Sequence, residues 1–186
     1  VAIKRLCVLA AAAAAAVAGC GTEEEPRYEV GTIADCAGFG PVEAADDPRG
    51  DQGGGEVRRG DIVRAAVAYG RRGLCADLRL AGPIRATAVY AVALRPPDAD
   101  RPVVIAQAAL LAGMAPELTV SRSDGRMLRD VIGEVAIDGD RMTITVDRQA
   151  FATLDATKLL DRSTWQVRTA VSEDDKTRTD CAPDCR

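Results

Sequence analysis

Residues 131–146 read VIGEVAIDGDRMTITV. Met142, Ile144 and Val146 alternate with Thr143 and Thr145, the period-two pattern of a strand that buries one face. Val131 to Ile137 reads as a second strand, and Asp138-Gly139-Asp140 separates the two. A glycine directly after an aspartate, between two such runs, supplies the positive φ that a tight hairpin turn needs. This is the strongest local hairpin signal in the chain, and it sets an antiparallel sheet.

Upstream, Ile62 to Tyr69 runs through Gly70-Arg71-Arg72-Gly73 into Leu74 to Leu80, a second hairpin. Its second arm places Cys75 and Asp77 opposite Ala76, Leu78 and Leu80. Ala86 to Arg95 is a long strand with Tyr90, Val92 and Leu94 on one face, closed by Pro96-Pro97-Asp98. Val103 to Leu111 is alanine-rich and fits a helix or a strand. Leu118 to Arg122 ends at the turn Ser123-Asp124-Gly125, and Phe151 to Leu160 reads as a short helix or a loop over one sheet opening. Trp165 to Val171 is a last strand with Trp165, Val167 and Thr169 inward. Tyr28 to Ile33 forms a first strand, and the Gly-, Pro- and Asp-rich stretch 38–60 has little to bury and reads as turns. Many short strands with few helix candidates give an all-β fold, an antiparallel two-sheet β-sandwich with Asp/Gly-rich loops. Only 3% of residues are aromatic, so the core is built mainly of small aliphatic side chains.

The amino terminus has a different character. Lys4 and Arg5 precede thirteen small or apolar residues, Leu6 to Ala18. That length suits a signal-peptide core and falls short of the roughly 20 residues a membrane-spanning helix needs. The run ends in Gly19-Cys20-Gly21 and then the acidic Glu23-Glu24-Glu25-Pro26. The expected organisation is a signal peptide over 1–19, a tether over 20–27 and a single β-sandwich domain over 28–186.

The chain has 24 basic and 28 acidic residues; without Lys4 and Arg5, 22 basic residues face 28 acidic ones. An acidic surface argues against a nucleic-acid partner, whose phosphates need concentrated positive charge. Beyond Cys7 and Cys20, four cysteines remain in an exported chain, an even number that reads as two disulfides with three connectivities open. Sequence proximity favours Cys36–Cys75 and Cys181–Cys185, the latter closing a small loop around Pro183. There is no CxxC pair and no histidine, so a zinc site is not expected.

Val17-Ala18-Gly19-Cys20 resembles the lipobox of bacterial lipoproteins, with Val17 standing where that family usually has leucine. The resemblance implies that Cys20 receives a diacylglyceryl thioether and that the peptide is cut before it. The domain would then be lipid-anchored on the extracytoplasmic face of the cell membrane. The alternative is ordinary cleavage after Ala16-Val17-Ala18, which releases a diffusible protein.

The order of pieces from 45 to 184 also resembles a group of secreted actinobacterial sandwiches with the jelly-roll-like topology of DOMON and family-9 carbohydrate-binding domains. The matching positions are Asp46 to Asp51, Asp61-Ile62, Gly139 to Val146, Trp165 to Val171, and Asp180 with Pro183. The resemblance implies a structural calcium on early aspartates and ligand contacts through exposed aromatics. Calcium takes six to eight oxygen ligands, and Asp46, Asp47, Asp51 and Asp61 are the candidates, although their spacing is not that of an EF-hand loop.

The absence of histidine excludes Ser-His-Asp and Cys-His catalysis. Oxidised cysteines are not nucleophiles, and paired carboxylates remain as candidate catalytic groups. The expected function is therefore a non-enzymatic binding or accessory module for an extracellular protein or small ligand, with no cofactor beyond calcium. The alternatives are a structural envelope protein without a small-molecule site and a secreted carboxylate-dependent hydrolase. Tyr28 and Phe39 are the aromatics expected at the surface.

Overall fold

The computed structural model describes residues 30–48, 60–84, 87–111, 114–161, 163–173 and 176–183. The signal-peptide stretch, the tether, Cys20, Tyr28, Asp51 and Cys185 lie outside them. The described strands form two antiparallel sheets. One sheet orders β1 (Val42–Asp46), β2 (Ile62–Gly70), β3 (Gly73–Leu80), β9 (Arg141–Asp147) and β8 (Gly133–Asp138). The other orders β11 (Lys176–Ala182), β10 (Thr164–Glu173), β4 (Ala88–Arg95), β5 (Val104–Leu110), β6 (Glu117–Arg122) and β7 (Met127–Leu128).

Both hairpins read from the sequence are present. Asp138 pairs with Arg141 across Gly139, which has φ 60°, and Gly70 pairs with Gly73 across Arg71 and Arg72. Gly73 has φ 122°, and a Cβ there would collide with the Val146 carbonyl, so both its dihedral and its neighbour demand glycine.

The inner faces interlock through small side chains. Val67, Ala76, Ile144 and Val135 form one cross-strand row, and Val167, Val92, Ala106 and Val120 form a row of the opposite sheet. All of them belong to one buried cluster, with Tyr90 and Phe151 its largest fully buried members. Trp165, Val167 and Thr169 point inward as the alternation required. Helix α1 (Arg148–Thr153) and a 3-10 turn (Thr157–Asp161) carry the chain from β9 to β10 and close one end of the sandwich. The Asp147 side chain caps α1 by accepting from the Gln149 N–H at 2.8 Å.

Several elements differ from the reading of the sequence. Residues 104–110 are a strand, because Val104, Ala106, Ala108 and Leu110 all turn into the core. β1 lies inside the stretch read as turns: it is an edge strand with an exposed surface, and only Ala45 packs against the core. The expected first strand reduces, within the described residues, to a single bridge between Val30 and Ile137. β11 carried no hydrophobic alternation and is also an edge strand.

Candidate binding cleft

From Val30 the chain runs onto the outer face of the β1–β2–β3–β9–β8 sheet and crosses it as a strap, residues 33–41. Three contacts fix the strap. The Cys36–Cys75 disulfide joins it to β3, the Ala34 N–H donates to Thr143 Oγ1 (3.1 Å), and Cys36 packs with Ala68 and Cys75 in a small buried cluster. At Gly40 the strap comes so close to β2 that a Cβ would strike the Tyr69 carbonyl.

The strap leaves a hollow on each side. On one side lies a charged row, one residue from each strand in register: Asp46, Arg64, Arg79, Arg141 and Asp138. Directly opposed arginines repel, and here each has a carboxylate at hand. Arg64 pairs with Asp46 (2.8 Å), Arg79 approaches Asp140 (3.8 Å), and Arg141 donates two hydrogen bonds to Asp77 (2.8 and 2.7 Å). The hydrogen bonds that Arg141 donates to Asp77, and then the charges of Asp77 and Asp138, raise its guanidinium above its ordinary pKa. Each arginine of the row is matched by a carboxylate, and the row reads as a solvated sheet face.

On the other side is a cleft of about 580 Å³ between the strap, the β2–β3 turn and the 157–161 turn. Phe39, Glu43, Tyr69, Arg71, Arg72 and Asp161 line it, with buried Leu160 at one wall. Each wall is held. Arg148 Nη1 donates to the Gly70 carbonyl (2.8 Å), and the Arg148 N–H donates to the Arg72 carbonyl (3.1 Å), which fixes the turn. The Arg72 guanidinium lies over the Phe39 ring, 4.7 Å from its centre. Tyr69 donates to the Ser163 carbonyl (2.6 Å), with Glu43 Oε1 3.5 Å away, and Trp165 Nε1 donates to Glu43 Oε2 (2.8 Å). Burial, and then the Glu43 charge and hydrogen bond, hold the Tyr69 phenol above its ordinary pKa, so it stays a neutral donor.

No protein-family model, curated protein or solved structure matches this chain. What the structure establishes is a generic all-β sandwich with a strapped face and a cleft beside the strap.

The residues singled out from the sequence fall in several places. Cys36 and Cys75 are bonded, with Cα atoms 5.3 Å apart. Cys181 is also disulfide-bonded. Asp46 is exposed and engaged with Arg64, whereas Asp61 is fully buried at the start of β2, where its carbonyl accepts from the Ala81 N–H (2.8 Å). Asp47 sits beside β2, its N–H donating to the Val63 carbonyl (3.1 Å). Among the described residues, no group of three or more His, Cys, Asp or Glu side chains converges as a metal site. Nor is any described helix long and apolar enough to cross a membrane. Phe39, expected at the surface, is half-buried and forms a wall of the cleft. Glu43, Tyr69 and Asp161 were not anticipated as a group. They come from three distant segments, and no local motif joins them.

Proposed function

We propose that this chain is an extracytoplasmic lipoprotein, anchored through lipid on Cys20, whose sandwich domain is a non-enzymatic binding module with the Phe39–Tyr69 cleft as its ligand site. The preformed cleft is the observation that carries the binding half of this reading. A disulfide, a guanidinium–carbonyl bond and two side-chain bonds hold its walls before any ligand arrives, so little ordering entropy remains to oppose binding. The anchoring half rests on the lipobox-like Val17-Ala18-Gly19-Cys20. Two or more acyl chains would make the attachment effectively stable.

The binding half is tested by protein-observed NMR on the full chain during a screen of small polar compounds. The expected result is a set of shift changes concentrated at Phe39, Tyr69, Arg72 and the Trp165 indole. Shift changes that cluster elsewhere, or none at millimolar ligand, would contradict it.

A further inference from the structure

The charges in the cleft are arranged differently from those of the charged row on the other side of the strap and of the β6–β7 turn. Arg64, Arg79, Arg122, Arg126 and Arg141 each have an ion pair within 4 Å. In the cleft, two arginines and two carboxylates share one hollow, yet none of the four makes an ion pair among the described residues. Arg72 is turned onto Phe39, while Glu43 is held by Trp165 and Tyr69, so neither is free to swing across and neutralise the other. Opposite charges placed around one cavity without touching are complementary to a ligand that carries both signs. Charge-assisted hydrogen bonds to such a ligand are about twice as strong as neutral ones, and the half-buried Phe39 and Tyr69 rings offer apolar contact between the charged ends.

We propose that the cleft takes a zwitterionic, peptide-like ligand, its ammonium group held by Glu43 and Asp161, its carboxylate by Arg71, and its aliphatic part against Phe39 and Tyr69. This rests on the cleft being the ligand site, and it adds the class of ligand.

The test is calorimetric titration of the full chain with trialanine, its N-acetylated form and its C-terminal amide, near neutral pH. The expected result is that trialanine binds and that each capped form binds at least about tenfold more weakly. Glu43→Gln keeps an acceptor for Trp165 Nε1 but removes one of the two charges, so it should shrink the penalty for acetylation while leaving the penalty for amidation. Arg71→Gln should do the reverse. If Glu43→Gln does not fold, Asp161→Asn, at an exposed position, carries the same expectation. Equal affinity for capped and uncapped peptides would overturn the proposal. A neutral disaccharide, cellobiose, run in parallel under NMR separates the two levels. Shifts at Tyr69 and Trp165 with cellobiose but not with trialanine would reject the zwitterion and keep the cleft as a site. Shifts with neither would count against both.

Discussion

Replacing both Cys36 and Cys75 with alanine is expected to cost about 4 kcal/mol of unfolding free energy. The two cysteines are 39 residues apart in sequence. In the chain-entropy model, closing a loop of that size removes about 4 kcal/mol of disorder from the unfolded chain. Alanine is the substitution of choice because both positions are buried, and serine would add hydroxyls that need partners. The effect should be functional as well as thermodynamic. Without the bond, the strap keeps the Val30–Ile137 bridge and the bond from Ala34 to Thr143, and it loses its covalent hold on β3. The Phe39 wall of the cleft would then be the first part to loosen. Urea denaturation of the double variant, with Tyr69 and Trp165 resonances as local probes, measures both consequences. A cost below about 1 kcal/mol with an undisturbed cleft would mean that the noncovalent contacts hold the strap unaided.

Phe151→Ala is expected to destabilise the sandwich by about 3–5 kcal/mol. Phe151 is fully buried, and it is the aromatic side chain that α1 contributes to the core at the closed end of the two sheets. Around it Leu154, Ala156 and Leu160 are also buried, and the Ala156 N–H donates to the Phe151 carbonyl (2.7 Å). The main-chain bonds tie the crossover together, so it cannot easily collapse into the space that alanine leaves. The cavity term therefore adds to the lost transfer energy. Phe151→Leu, which keeps most of the volume, should cost much less. Chemical denaturation of the two variants separates these cases. Similar small losses for both would show that the helix lies over the core without sealing it.

The parts of the fold that were legible in the sequence are those where large apolar side chains alternate with polar or smaller ones. Met142, Ile144 and Val146 announced β9, and Tyr90, Val92 and Leu94 announced β4, because their outward neighbours differ in character. The signal failed where the buried side chains are too small to stand out. In β5, Ala106 and Ala108 face the core while Ala109 does not, and composition alone cannot tell these positions apart. It failed again at the edges. β1 has a single core contact and β11 is a polar strand ending at Ala182, so neither needs the apolar alternation that a central strand must have.

The candidate site was less legible still. The Cys36–Cys75 pair was one of three open connectivities, favoured by sequence proximity alone, and the structure forms it. Glu43, Tyr69, Arg71 and Asp161 converge only because the strap, the hairpin turn and the crossover meet at one corner of the sandwich. Their relation depends on topology, to which local sequence gives no access. Of the early aspartates grouped by their closeness in sequence, Asp46 is exposed on an edge strand, Asp61 is buried at the start of β2, and Asp51 lies outside the described residues.

The most direct measurement of the central proposal is the intact mass of the protein taken from its native membrane fraction, before and after reduction. A lipid-anchored binding module should show the mass of residues 20–186 plus acyl chains, rising by about 4 Da when two disulfides are reduced. An unacylated mass, or a chain that starts elsewhere and appears in the soluble fraction, would contradict the anchor and make this a diffusible protein.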